Sequence, residues 1–233
     1  MNWETLADYD ALSGRAAEIL LTALRRDPRI VLGLPTGRTP IRMYERVVAA
    51  CGREYHCFRD VVTFNLDEYA GIERNHPGSY STFMKRHLFD FIDIEKANAH
   101  IPDGAAPDLA QECLRYERAI ADAGRLGLTF LGLGSNGHIA FNEPGAPFDA
   151  RTRVVTLSES TRTANAAFFP DGDVPTQAIT IGIATILESK SIVLLANGTS
   201  KKVAIERLRS GEISEEFPAS ALWKHPDVTV LAA

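Results

Sequence analysis

The sequence predicts an α/β fold, a largely parallel sheet with helices on both faces. Short runs rich in Val, Ile, Leu and Phe occur at 30–34, 61–66, 128–133, 191–196 and 228–231. They lack polar alternation, as strands buried on both faces do. Amphipathic stretches separate the runs, and strand–helix alternation along the whole chain is the pattern of a parallel sheet.

The elements follow in order. At 12–24, Leu12, Ala16, Ile19, Leu20 and Ala23 recur at helical spacing and lead into the run at 30–34. A helix is expected at 40–48, opened by Pro40, whose fixed φ suits a first helical position. After the run at 61–66, segments 80–89 and 108–121 read as helices. Asp108 precedes Gln111 and Glu112, a cap followed by first-turn polar residues. Beyond 128–133 the chain is least regular, with Pro144, Gly145, Pro147, Pro170 and Gly172 around a helical patch at 161–169. The stretch at about 144–173 is therefore a candidate lid, with a plain surface loop as the alternative. The run at 191–196, a helix at 200–208 and the run at 228–231 complete the pattern. No repeat, low-complexity tract or linker divides the chain, so 1–233 is read as a single domain.

Composition narrows the function. The 233 residues are 45% hydrophobic and 24% charged, ordinary for a globular protein. Lys plus Arg number 25 against 30 Asp plus Glu, and a net charge of −5 argues against a general nucleic-acid binder. No run approaches the roughly eighteen apolar residues of a membrane span. The opening MNWETLADYD lacks the apolar region of a signal peptide, so a cytoplasmic location is expected. Cys51, Cys57 and Cys113 have no CxxC spacing and fit reduced thiols better than a disulfide framework or a zinc site. Neither a metal nor a cofactor is expected.

Parallel sheets bind ligands beyond the C-terminal ends of their strands, so the residues after each run are informative. After 30–34 come Pro35, Thr36, Gly37, Arg38, Thr39 and Pro40. Free N–H groups at the next helix start, the two Thr hydroxyls and Arg38 make a candidate anion site. A plain strand–turn–helix with a Thr cap remains open. After 61–66 come Asp67 and Glu68, whose side chains diverge if the backbone stays extended. Asp67 is the candidate for the cleft, with surface helix capping as the alternative. After 128–133 the stretch 134–144 holds Gly134, Asn136, Gly137, His138 and Glu143. A carboxylate hydrogen-bonded to imidazole holds one tautomer and raises its basicity, a common acid–base arrangement. After 191–196, Lys201 near a helix start offers a second candidate phosphate contact, or merely a solvated Lys.

The stretches VLGLPTGRTP, TFNLDEYAGI, HPGSY, LGLGSNGHIAFNEPG, TRTANAAFFP, AITIGIATIL and GEISEEFPASAL, with 150–157, resemble the glucosamine/galactosamine-6-phosphate isomerase family and its glucosamine-6-phosphate deaminases. The similarity runs in family order from about Val31 to the C-terminus. It implies a Rossmann-like fold shared with sugar-phosphate isomerases and lactonases. It also implies conversion of glucosamine 6-phosphate and water to fructose 6-phosphate and ammonium. By that resemblance His138 opens the sugar ring and Glu143 orients and charges the imidazole. Asp67 moves the C2 proton to C1, while Thr36, Gly37, Arg38, Thr39 and Lys201, the anion contacts read from their loops, are expected to hold the phosphate.

The sequence departs from the family pattern in places. Asn136 stands where many relatives carry Asp, and Asn can orient an imidazole without stabilising its charge. Ala167 stands where relatives usually place a phosphate-binding Arg, while Arg38 stands where they have Gly or Ser. Arg38 is expected to replace the missing cation. The sequence also ends shortly after 228–231, so the C-terminal allosteric segment of longer hexameric relatives is not expected. The partner is then a small sugar phosphate, with neither nucleic acid nor membrane, and the protein a monomer or homo-oligomer. A 6-phosphogluconolactonase-like hydrolase and a non-catalytic sugar-phosphate sensor are the competing readings. A lactonase needs no C2 proton shuttle, and neither does a sensor.

Overall fold

A computed structural model describes residues 1–52, 57–169 and 172–233. The chain opens with β1 (Asn2–Thr5), α1 (Tyr9–Arg26), β2 (Val31–Leu34) and α2 (Ile41–Cys51). Next come β3 (Val62–Asn65), β4 (Asp67–Tyr69), α3 (Tyr80–His87), β5 (Ala99–His100), α4 (Leu109–Asp122) and β6 (Leu128–Gly132). Then follow β7 (Arg153–Thr156), α5 (Glu159–Asn165), β8 (Gln177–Thr180), α6 (Ile183–Leu187), β9 (Ser191–Ala196), α7 (Lys202–Arg209) and β10 (Val228–Ala232).

The main sheet has seven strands in the order β1-β10-β9-β6-β2-β3-β5, and all its pairings are parallel. Its inner strands alternate sides but are apolar on both. Leu128, Phe130, Val193 and Leu195 pack with Leu12, Leu20, Met43, Val47 and Met84 of α1, α2 and α3. Leu131, Ile192 and Leu194 pack oppositely, with Tyr116, Ile120, Ile186 and Leu208 of α4, α6 and α7. That double burial explains the missing polar alternation. Asp108 caps α4 by accepting from the Ala110 and Gln111 amides, both at 3.0 Å.

A second, antiparallel sheet in the order β4-β8-β7 stands beside the first. Its short strands, the edge strands β1 and β5, and helix α6 go beyond the elements expected from sequence. Within the candidate lid, β7 and α5 are regular structure, and residues 170–171 lie outside the described residues.

The order of connections matters for the site. From β2 the chain steps outward through β3 to β5, then returns to place β6 on the other side of β2. The sheet therefore reverses winding between β2 and β6, and a crevice opens beyond their C-terminal ends, where α/β proteins take ligands.

Candidate active site

A cleft of about 260 Å³ lies at that switch point. It is lined by the loop after β2, by Asp67 where the chain leaves β3, by the loop after β6, and by Lys201 before α7. Ser160, Thr161, Ala164 and Asn165 of α5 complete its wall. Thr36, Gly37, Arg38, Thr39, Asp67, Asn136, His138 and Lys201 all line this cleft, while Glu143 stands behind His138.

The loop after β2 is braced from two helices. The Tyr44 hydroxyl donates to the Pro35 carbonyl at 2.6 Å, and the Tyr9 hydroxyl lies 3.0 Å from the Arg38 and Thr39 carbonyls. Gly37 has φ +92°, a backbone that favours glycine, and a Cβ there would meet nothing. The constraint at Gly37 is conformational rather than steric. No side chain caps α2, so the plain Thr-cap reading of this loop does not hold. Arg38 is exposed, and its guanidinium lies 5.7 Å from the centre of the Phe168 ring. Lys201 also lines the cleft, and burial there lowers its pKa.

Asp67 and Glu68 diverge, as an extended backbone dictates. Glu68 turns into the protein and accepts from the backbone N–H groups of Tyr69, Tyr80 and Ser81, each at 2.9 Å. It thereby caps the start of α3, so the capping role falls to Glu68. Asp67 is 6% exposed and lines the cleft. Burial pushes its carboxyl well above the ordinary carboxylate range, and the neighbouring Glu68 adds to the shift. Such a carboxyl is suited to accept and hold a proton.

The loop after β6 presents the imidazole. Gly134 is required by close approach, because a Cβ there would fall 2.3 Å from the His138 ring. The turn that follows is locked by Asn142, which donates to the Ile139 and Ile181 carbonyls at 3.0 and 2.9 Å. Within that turn Ala140 has φ +49°, a costly backbone for a residue with a Cβ, and it lines the cleft.

The direct His138–Glu143 hydrogen bond expected from sequence is replaced by a relay. His138 Nδ1 is 2.8 Å from Asn136 Oδ1, and Asn136 Nδ2 donates to Glu143 Oε2 at 2.7 Å. The direct Nδ1–Oε2 distance is 3.6 Å. The amide is oriented by its partners: its N–H must face the carboxylate, so its oxygen must face the ring. His138 Nδ1 then carries the proton and Nε2 is left as the free base. Burial alone would raise the Glu143 pKa, but contacts from His138, Thr161 and Asn136 bring it down to about 2. Glu143 is therefore a carboxylate at any working pH.

Sequence reasoning missed the outer end of this chain. The Ser158 hydroxyl lies 3.1 Å from Glu143 Oε1, and the Thr161 hydroxyl donates to the same oxygen. Both residues sit in the run leading into and through the first turn of α5. Tyr80 and Phe141 also line the cleft without having been singled out. Ala167 does not line it. Ala167 borders a neighbouring hollow with Gly37, Arg86 and Phe168. Among the described residues no group of three or more His, Cys, Asp or Glu side chains can hold a metal, and no helix is long and apolar enough to cross a membrane.

A buried acid, an imidazole of fixed tautomer and a cation-bearing loop at a sheet switch point can move protons on a small anionic substrate. The profile described as glucosamine-6-phosphate isomerases/6-phosphogluconolactonase matches residues 6–231, and the chain belongs to that family. Within it, the glucosamine-6-phosphate deaminase of Lysinibacillus sphaericus is 50% identical over 99% of this chain and 98% of its own. That of Shouchella clausii is 49% identical over 100% and 94%. A solved monomeric glucosamine-6-phosphate deaminase superposes with a TM-score of 0.97 at 46% identity, covering 100% of this chain and 97% of the other. The 6-phosphogluconolactonase of Thermotoga maritima, at 21% identity and a TM-score of 0.78 over 99% and 98%, shares the fold.

Proposed function

We propose that this protein is a glucosamine-6-phosphate deaminase, converting glucosamine 6-phosphate and water to fructose 6-phosphate and ammonium. The observation that carries the reading is a buried Asp67 and an Nδ1-protonated His138 lining one cleft. It is supported by full-length identity near 50% to deaminases.

His138 Nε2 takes the anomeric hydroxyl proton and returns a proton to the ring oxygen, opening the pyranose. Asn136 and Glu143 hold the ring in the tautomer that makes this possible, and the Glu143 carboxylate, 3.6 Å away, favours the ring when charged. Asp67 then removes the C2 proton, giving an enolamine, and delivers a proton to C1. The C2 imine that results adds water and expels the nitrogen as ammonium, leaving the ketone. One carboxyl serves both transfers because, beside the C1–C2 edge, the carboxylate can accept the proton and the resulting acid can give it back.

The phosphate sits on the 36–39 loop between Lys201 and Arg38. Arg38 lies 5.7 Å from the centre of the ring of Phe168, the residue after Ala167, and that contact steadies it. The hydrolase reading is disfavoured because identity to the lactonase falls to 21%. The sensor reading gives no use to a proton-holding Asp67. The monomeric state of the similar solved deaminase supports the same state here. A phosphorylated substrate supports a cytoplasmic location.

Ammonium release from a panel of amino-sugar 6-phosphates tests the assignment. Turnover of the glucosamine ester is expected. Hydrolysis of 6-phosphogluconolactone without any ammonium release from the panel would overturn it.

A further inference from the structure

Glu143 uses only one of its oxygens toward the imidazole. Oε2 serves Asn136 at 2.7 Å and faces His138 at 3.6 Å. Oε1 points the other way, to the hydroxyls of Ser158 and Thr161 on a different element, α5. Ser158 is the cap of that helix and accepts from the Thr161 amide at 3.2 Å, so the two hydroxyls are fixed relative to each other. Thr161 is 6% exposed and lies in the cleft wall, with Ser160, Ala164 and Asn165 on the same helix.

We propose that Thr161 is a positioning residue for ring opening: its hydroxyl clamps Glu143 so that the Asn136 amide, and through it His138, is held in the one working orientation. The proposal rests on the reading of His138 as the ring-opening base. The physics is a matter of rotors. A carboxylate bound on one side only can turn about its last bond, and the Asn136 carboxamide is fixed by two contacts, the His138 backbone N–H on Oδ1 at 3.2 Å and Glu143 on Nδ2 at 2.7 Å. With Oε1 clamped, Oε2 stays in front of Asn136 Nδ2. With Nδ2 committed, Oδ1 must receive the Nδ1–H of His138. Without the clamp, Glu143 can swing away from Asn136 Nδ2, and the amide is then held only by the His138 backbone N–H, which donates to Oδ1 at 3.2 Å, so the ring loses the rigid partner that fixes its orientation. Asn136 makes this more acute than a carboxylate at that position would, since both ends of a carboxylate accept.

Thr161 donates a single proton, and it goes to Glu143. Ser158 divides its proton among Glu143, Ser160 and Thr161, all at about 3.0–3.1 Å, so it contributes less. The clamp also ties the relay to α5, whose residues line the cleft.

The test is steady-state kinetics and pH profiles on Thr161→Val, Thr161→Ser and Ser158→Ala, beside Glu143→Gln and His138→Ala. Thr161→Val keeps the shape and removes the donor. It should lose roughly tenfold in kcat with KM within about twofold, and displace the lower limb of the kcat–pH profile as Glu143→Gln does. Thr161→Ser should restore kcat, Ser158→Ala should lose less, and the Thr161→Val/Glu143→Gln double variant should match Glu143→Gln alone. If Thr161→Val keeps wild-type kcat while His138→Ala and Glu143→Gln are impaired, the clamp is overturned. A change in KM alone also overturns it, making Thr161 a substrate contact. Should Thr161→Val not fold, Thr161→Ala and Thr161→Ser carry the same comparison. Full activity in both His138→Ala and Glu143→Gln would instead remove the underlying reading of the relay.

Discussion

The imidazole of His138 and the carboxylate of Glu143 are separated by 3.6 Å, and the Asn136 amide bridges them with contacts of 2.8 and 2.7 Å. A neutral amide passes orientation along this line without carrying charge, so the acid acts on the ring mainly through the tautomer it enforces. Replacing Asn136 by Leu, which has similar bulk and no polar end, should therefore cost kcat far more than KM. A loss of about 10- to 100-fold in kcat is expected from a misplaced general base. Steady-state kinetics check it, and an unchanged kcat would show that the amide is not needed.

His138 and Glu143 should behave as one unit. The His138→Ala/Glu143→Gln double variant should be little worse than His138→Ala, because the acid acts only through the ring. The readout is kcat/KM in all corners of the cycle, where fully additive losses in activation free energy would speak against a relay.

Glu143 also links the site to stability. Its folded pKa is about 2 against an ordinary 4.5. A depressed carboxyl stabilises the fold above pH 4.5, and that stability drains away as pH falls from 4.5 toward 2. The side chain is 16% exposed, and the shift corresponds to about 3 kcal/mol. Urea titrations across that range should show wild type losing its advantage over Glu143→Gln as acidity rises. A constant gap between the two would contradict the assigned pKa.

If the phosphate sits on the 36–39 loop as proposed, Arg38 should contribute to its recognition in place of an Arg at 167. Arg38→Gly should raise KM for glucosamine 6-phosphate, by roughly ten- to a hundredfold for a lost charge-assisted contact. Ala167→Arg should add little to wild type but recover part of the Arg38→Gly loss, since the two cations would share one region near Phe168. A wild-type KM in Arg38→Gly would leave Lys201 and the loop backbone as the phosphate's only anchors.

What the sequence disclosed follows from where each segment lies. Runs such as 128–133 and 191–196 were legible because inner strands of a parallel sheet bury both faces and so repeat apolar residues. The edge strands Asn2–Thr5 and Ala99–His100 carry no such run. The strand Asp67–Tyr69 reads as a loop bearing acids, and only its pairing with Gln177–Thr180 makes it a strand. In the site, glycines beside a histidine marked the loop after β6, and an acid at a strand end marked Asp67. The roles of Asn136 and Thr161 were hidden for different reasons. Asn136 was visible, but its insertion between ring and acid depends on the turn at 139–142. Thr161 reaches Glu143 across 18 residues, because α5 folds back against the loop.

Asp67 carries the heaviest part of the account, and the fate of the hydrogen on C2 tests it directly. Glucosamine 6-phosphate deuterated at C2 would be followed by NMR with wild type and with Asp67→Asn, alongside a binding measurement for the variant. Wild type should deliver part of the label to C1 of fructose 6-phosphate and release the rest to solvent. The variant should bind the substrate and do neither, because an amide cannot accept the proton. Loss of the C2 label at the wild-type rate in Asp67→Asn would contradict the central claim.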